Sequence, residues 1–265
     1  MNSTYGGNSF FLPGGDRAVL LVHGFTASTQ EVEELAFTLA DRGFTVSVPL
    51  LAGHNKDFSW FKKTDADDYF ASVFESYEKL IGYKTVDVVG LSFGGTLILH
   101  LAAVRKVGKI VVLAPAIFYH SKAVWLSSFL SYIYRGRVMK KKEKNPKTGI
   151  VSRWDLFKPE AIIERIAYPW FAFPQLLSTM HLMEKVRKEL HRIVNPVLIL
   201  HSKLDTTARP DGSRYLFDNI GSKEKKLFWL KESGHIITVD YESETVKREI
   251  LDFLGEIKKP PGEEA

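Results

Sequence analysis

Six short runs rich in Val, Ile and Leu recur along the chain, separated by longer stretches whose apolar residues fall at helical spacing. That alternation restricts the chain to a layered α/β architecture with a mostly parallel sheet, because adjacent parallel strands need a crossover and the crossover is usually a helix. The runs are Arg17 to His23, Phe44 to Val48, Val86 to Leu91, Lys109 to Ala114, Pro196 to His201 and Lys226 to Lys231. Several are apolar throughout, as strands covered on both faces are. Between the first two, Ser28 and Glu31 stand at capping-box spacing ahead of Val32, Leu35, Ala36, Leu39 and Ala40, and Gly43 stops the helix. Asp65 to Ile81 repeats the pattern. Further helices are predicted from just after Ser92 to Gly108 and near Ser243 to Ile257.

The alternation breaks between Phe118 and Phe173, a stretch too long for a structureless loop inside a compact domain. Residues 118–173 are therefore predicted to form an inserted, mainly helical cap over the sheet, with 1–117 and 174–265 forming one core domain. The insertion holds 12 aromatic residues among its 56 positions, which suits either an apolar ligand wall or the packing of a small lid. Its segment Ala123 to Tyr134 could rest transiently on a lipid surface. Between Arg135 and Lys147 seven cations face one acid, or +6, whereas the whole chain carries +5, leaving about −1 elsewhere. A local basic loop on a near-neutral body reads as a solvated excursion, so no nucleic-acid partner is expected. With 0 Cys there is no thiolate nucleophile, disulfide or thiolate metal site. No run reaches the roughly 18 apolar residues that a membrane span requires, and no basic residue precedes the first apolar patch, so the chain reads as cytoplasmic.

Gly90-Leu91-Ser92-Phe93-Gly94 matches GxSxG, a pattern that arises by chance in about one chain in ten of this length. Its setting gives it weight: the strand VDVVGL runs into it and GTLILHLAAV leaves it as a helix, the arrangement that lifts a serine hydroxyl above a sheet. A serine needs a base, usually a histidine oriented by a carboxylate. His235 follows the strand KLFWLK through Glu232-Ser233-Gly234, and Asp205 follows PVLILHS, so both are predicted at the same edge as Ser92. His54, on the loop Leu51-Ala52-Gly53-His54, is the rival base. Asp211 and Asp218 are rival carboxylates, and His100, His120, His181, His191 and His201 read as packing or surface residues. Backbone N–H groups of Phe93 and of Phe25, after His23-Gly24, are the expected oxyanion donors.

Together, LLVHGFTAS, PLLAGHN, GLSFGGT, KLDTTARP and SGHIITVD resemble, in order and spacing, the bacterial carboxylesterase and monoacylglycerol lipase group of α/β-hydrolases. The resemblance covers almost all of the chain outside the insertion. It implies the α/β-hydrolase fold, Ser92 as nucleophile, Asp205 and His235 as its partners, Phe25 and Phe93 as oxyanion donors, no cofactor or metal, and small-molecule esters of short to medium chain as substrates. The chain departs from the group at Gly53-His54-Asn55, where Gly-His-Gly is common. Monoacylglycerol lipase activity is an alternative, and a ligand receptor that keeps the triad without turnover is one of a different class. The sequence leaves the oligomeric state open.

Overall fold

The computed structural model describes residues 3–119, 137–139, 143–144, 151–152, 155–158, 161 and 165–255. The six apolar runs become β2 (Arg17–Val22), β3 (Thr45–Val48), β4 (Thr85–Leu91), β5 (Ile110–Leu113), β10 (Val197–Ser202) and β11 (Lys225–Leu230). With β1 (Phe10–Leu12) they form one seven-stranded sheet in the order β1-β3-β2-β4-β5-β10-β11. Every pairing in it is parallel except β1 with β3. A three-residue antiparallel edge strand has too few positions to show a period, which is why the sequence pattern passes over β1.

Helices α1 (Glu33–Asp41), α2 (Phe58–Phe61), α3 (Ala66–Glu78), α4 (Phe93–Val104), α5 (Phe173–Glu189), α6 (Pro210–Asn219) and α7 (Ser243–Leu254) connect and cover these strands. Successive side chains of a strand point to opposite faces, so one apolar run feeds two cores. Leu20, Val22, Val88, Val112 and Ile199 pack on the face with Tyr69, Leu97, Met183 and Val186 of α3, α4 and α5. Val19, Leu21, Val89, Leu113 and Leu200 pack on the other with Leu35, Leu39, Val246 and Ile250 of α1 and α7. At roughly 1.5–3 kcal/mol for each such side chain fully buried, this double coverage is what holds the central strands.

Local rules held at α3, where Asp65 and Asp68 form a reciprocal capping box. They failed before α1. Ser28 accepts from Gln30 N–H, a 3-10 turn over Thr29–Val32 intervenes, and Glu31 is drawn to Gly24 and Arg165 instead of back to the cap. Within the insertion, β9 (Trp170–Ala172) pairs with β6 (Arg137–Met139), and β7 (Glu143–Lys144) with β8 (Val151–Ser152). The segment Ala123 to Tyr134, His120 and most of the basic stretch lie outside the described residues.

At the junction of β4 and α4, backbone meets backbone. A Cβ on Gly90 would sit 2.5 Å from Gly94 C, and one on Gly94 only 2.4 Å from Val22 O and 2.5 Å from His23 O. Neither neighbour is a side-chain end that could swing aside. Gly94→Ala is therefore expected to destabilise the fold by about 3 kcal/mol, the upper part of the usual overpacking range, read as a lowered urea midpoint at unchanged m-value. A wild-type midpoint would show that the junction has room to relax.

Candidate active site

The loops after β4, β10 and β11 leave the same edge of a parallel sheet, and each carries one of the predicted groups. Ser92 Oγ lies 2.8 Å from His235 Nε2, and His235 Nδ1 lies 2.7 Å from Asp205 Oδ2. All three residues are buried. Ser92 itself has φ 55° and ψ −118°, a conformation rare outside glycine.

Asp205 is held by two kinds of donor. Its Oδ1 accepts the N–H groups of Thr207 and Ala208, each at 2.8 Å. Its Oδ2 accepts from His235 and also from His201 Nε2 at 2.8 Å. Burial alone would raise the Asp205 pKa, but the attraction of His235 and the hydrogen bonds from His201 and His235 outweigh it and hold the carboxyl well below the usual range. His235 shows the complement. Burial disfavours its imidazolium, yet the carboxylate of Asp205, with smaller contributions from Asp155 and Glu31, leaves its pKa raised.

The histidine loop is pinned by carboxylates that take its backbone donors. Asp240 accepts Gly234 N–H at 2.7 Å, and Glu242 accepts the N–H groups of Lys231, Glu232 and Ser233. Asp155, from the insertion, spans two loops. Its carbonyl accepts His235 N–H at 2.7 Å, while its carboxylate accepts the N–H and hydroxyl of Thr206 and the N–H of Thr207. Burial, followed by the nearby charge of Asp205, pushes the Asp155 pKa up to about 7, against the opposing pull of His235 and Thr206.

Around Phe25 two neutral imidazoles set the backbone. His23 Nδ1–H donates to Gly24 O at 2.8 Å and its Nε2 accepts Leu51 N–H at 3.1 Å. Burial drives the His23 pKa down to about 4, which keeps that acceptor lone pair available. His54 Nε2 accepts Thr26 N–H at 3.0 Å and its Nδ1–H donates to Ala52 O. The loop is tied from outside as well: Glu31 accepts Gly24 N–H, pairs with buried Arg165, and Tyr168 N–H donates to Thr26 O at 2.7 Å.

The rivals are accounted for. Both ring nitrogens of His54 serve the backbone, Asp211 pairs with Arg209, and Asp218 pairs with Arg214 on the surface. His201 corrects the packing assignment, since it contacts Asp205 directly. A histidine that breaks the apolar run VLIL four places before Asp205 is the one sequence signal pointing to it. Asp155 has none.

A cavity of about 280 Å³ lined by Glu31, Glu33, Glu34 and Arg165 lies apart from these groups, since none of Ser92, Asp205 and His235 lines it. No helix among the described residues is long and apolar enough to cross a membrane.

The family model for the serine aminopeptidases S33 matches residues 15–242. A thermostable monoacylglycerol lipase from Bacillus sp. (strain H-257) is 32% identical over 94% of this chain and 95% of its own. A carboxylesterase from Bacillus subtilis is 29% identical over 94% and 96%. Among solved structures, one from the metagenome-derived lipolytic enzymes LipS and LipT superposes with a TM-score of 0.83 at 25% identity, covering 94% of this chain and 97% of that one. The monoacylglycerol lipase of Paleococcus ferrophilus does so with 0.78 at 23% identity, covering 93% and 97%. With its largely parallel sheet and the hydrogen-bonded loops at that sheet's edge, the chain belongs to the S33 serine hydrolase family of α/β-hydrolases, in the carboxylesterase and monoacylglycerol lipase group.

Proposed function

We propose that this protein hydrolyses carboxylic esters of short to medium chain through an acyl-enzyme on Ser92. The observation that carries the reading is the unbroken chain from Ser92 Oγ through His235 to Asp205, with steps of 2.8 and 2.7 Å. His235 accepts the hydroxyl proton as Ser92 attacks the acyl carbon, then donates it to the departing alcohol. Asp205 keeps Nδ1 protonated and stabilises the imidazolium that forms. Water repeats the cycle and frees the acid.

The oxyanion of each tetrahedral intermediate is assigned to the N–H groups of Phe93 and Phe25. Phe93 opens α4, and first-turn N–H groups have no partner within their own helix. The adjacent Phe25 loop is held by His23, His54 and Glu31, so its donor is set before substrate arrives. A preorganised donor of this kind is worth about 3–4 kcal/mol. The relatives named carboxylesterase and monoacylglycerol lipase support ester chemistry, and the aromatic-rich insertion 118–173 supports an apolar acyl group. Glycerol monoesters are the second reading, favoured by the Bacillus lipase.

Ser92→Ala is expected to lower kcat for p-nitrophenyl butyrate by at least about 1000-fold with the fold intact, and a fluorophosphonate should label the wild type at Ser92. Label without turnover of any ester would point to a receptor. Rates highest on monoacylglycerols, across a chain-length series, would select the lipase.

Because His235 acts as base only when neutral and its pKa is raised, kcat/KM should climb with pH through a value above the ordinary imidazole figure of about 6.5. Asp155→Asn keeps an oxygen for the Thr206 and Thr207 donors but removes one negative charge near His235, so its acid limb should move to lower pH. An acid limb unmoved in the folded variant would mean that Asp155 acts on His235 through its backbone alone.

A further inference from the structure

Asp205 Oδ2 receives a second imidazole on its buried side, and a second serine stands behind that one. Ser213 Oγ lies 2.6 Å from His201 Nδ1, and His201 Nε2 lies 2.8 Å from Asp205 Oδ2. Across the same oxygen, His235 Nδ1 and Ser92 Oγ repeat the arrangement toward the substrate side. The inner half is sealed: Ser213 and His201 are both fully buried, with the Trp229 ring 6.1 Å from that of His201.

Chemistry fixes the roles in this inner half. An ionised carboxylate can only accept, so the proton of a neutral His201 must sit on Nε2, which leaves Nδ1 to accept the Ser213 hydroxyl proton. One N–H then points at Asp205 at all times. That bond does two things. It holds the carboxylate in the rotamer that meets His235, and it draws charge away from the one oxygen that both imidazoles share.

We propose that His201, with its Nε2 proton directed by Asp205 and its Nδ1 held by the Ser213 hydroxyl, is a positioning residue of the catalytic centre that tempers the grip of Asp205 on His235. The proposal rests on the reading of Ser92, His235 and Asp205 given above. Without the inner donor, Asp205 would concentrate its charge on His235, the imidazolium would persist to higher pH, and the base would be available over a narrower range. Among the described residues, the other ionisable groups that act on His235 are Asp155 and Glu31, and Asp155 also acts on Asp205. Both stay in place in the variants below, so a shifted limb reports the inner pair.

The test is the pH profile of kcat/KM for p-nitrophenyl butyrate in His201→Phe, His201→Gln and Ser213→Ala, each with a thermal melt. His201→Phe fills the space without a donor. Its acid limb should move to higher pH by about half a unit or more, and kcat should fall about tenfold while KM changes little. His201→Gln offers an amide N–H close to the former Nε2 and should return the limb most of the way. Ser213→Ala removes only the hydroxyl and should move the limb in the same direction by less.

A folded His201→Phe with a wild-type limb overturns the proposal. So does equal behaviour of the Phe and Gln variants, which would leave His201 a matter of packing. If His201→Phe fails to fold, Ser213→Ala decides, an unmoved limb counting against. Retained turnover in Ser92→Ala would instead sink the functional reading itself, whatever these profiles show.

Discussion

The structure turns on a contradiction at residue 92: a side chain with a Cβ held at positive φ, a conformation that costs about 1–3 kcal/mol and persists only where the surroundings over-determine it. The surroundings do so through hydrogen bonds. Ser92 N–H donates to Leu113 O on β5, and Ser92 O accepts from Gly95, Thr96 and Ala116 N–H. Glycines on both sides let β4, α4 and the end of β2 approach at backbone distance. The sheet and both cores thus fix the direction of one hydroxyl.

Electrostatics supplies the second constraint. A carboxylate taken out of water needs its lone pairs satisfied or it takes up a proton. Asp205 meets that demand with two backbone donors and two imidazoles, and so stays ionised where burial alone would neutralise it. Asp155, a short distance away, also collects donors, but beside the charge of Asp205 its pKa rises to about 7. The two acids differ because one faces two imidazoles directly and the other faces mainly threonine donors. The same logic explains His23, whose full burial with no carboxylate bonded to its ring favours the neutral form that the Phe25 loop requires.

What could be read from the sequence follows the range of the interactions. The six strands β2, β3, β4, β5, β10 and β11, with α3, announce themselves because their signals lie within a few residues, and the Ser92 turn because strand, glycines and helix are contiguous. Asp205 and His235 were placed by topology: each follows a parallel strand, and parallel strands end at one edge. Long-range contacts left no mark. Asp155 meets Thr206 across 51 positions, and nothing near 155 hints at it. His201 hid in plain view, since a buried strand histidine reads the same whether it packs or donates. At Ser28 and Glu31 the local rule pointed the wrong way, because a buried arginine outcompetes a helix end for a carboxylate.

These long-range contacts share an origin in the insertion. Arg165 pairs with Glu31, Ile166 N–H donates to Gln30, and Tyr168 bonds Thr26, Gly53 and Lys56, so one returning segment braces the loop of Phe25. Asp155, earlier in the same insertion, braces the loops of Asp205 and His235. Residues 155–168 are thereby joined to the loops of Phe25, Asp205 and His235. Changes at Asp155, Arg165 or Tyr168 therefore reach those loops as well as the segment that carries them. The hydrogen bonds of residues 155–168 thus tie together loops that lie far apart in sequence, those of Phe25, Asp205 and His235.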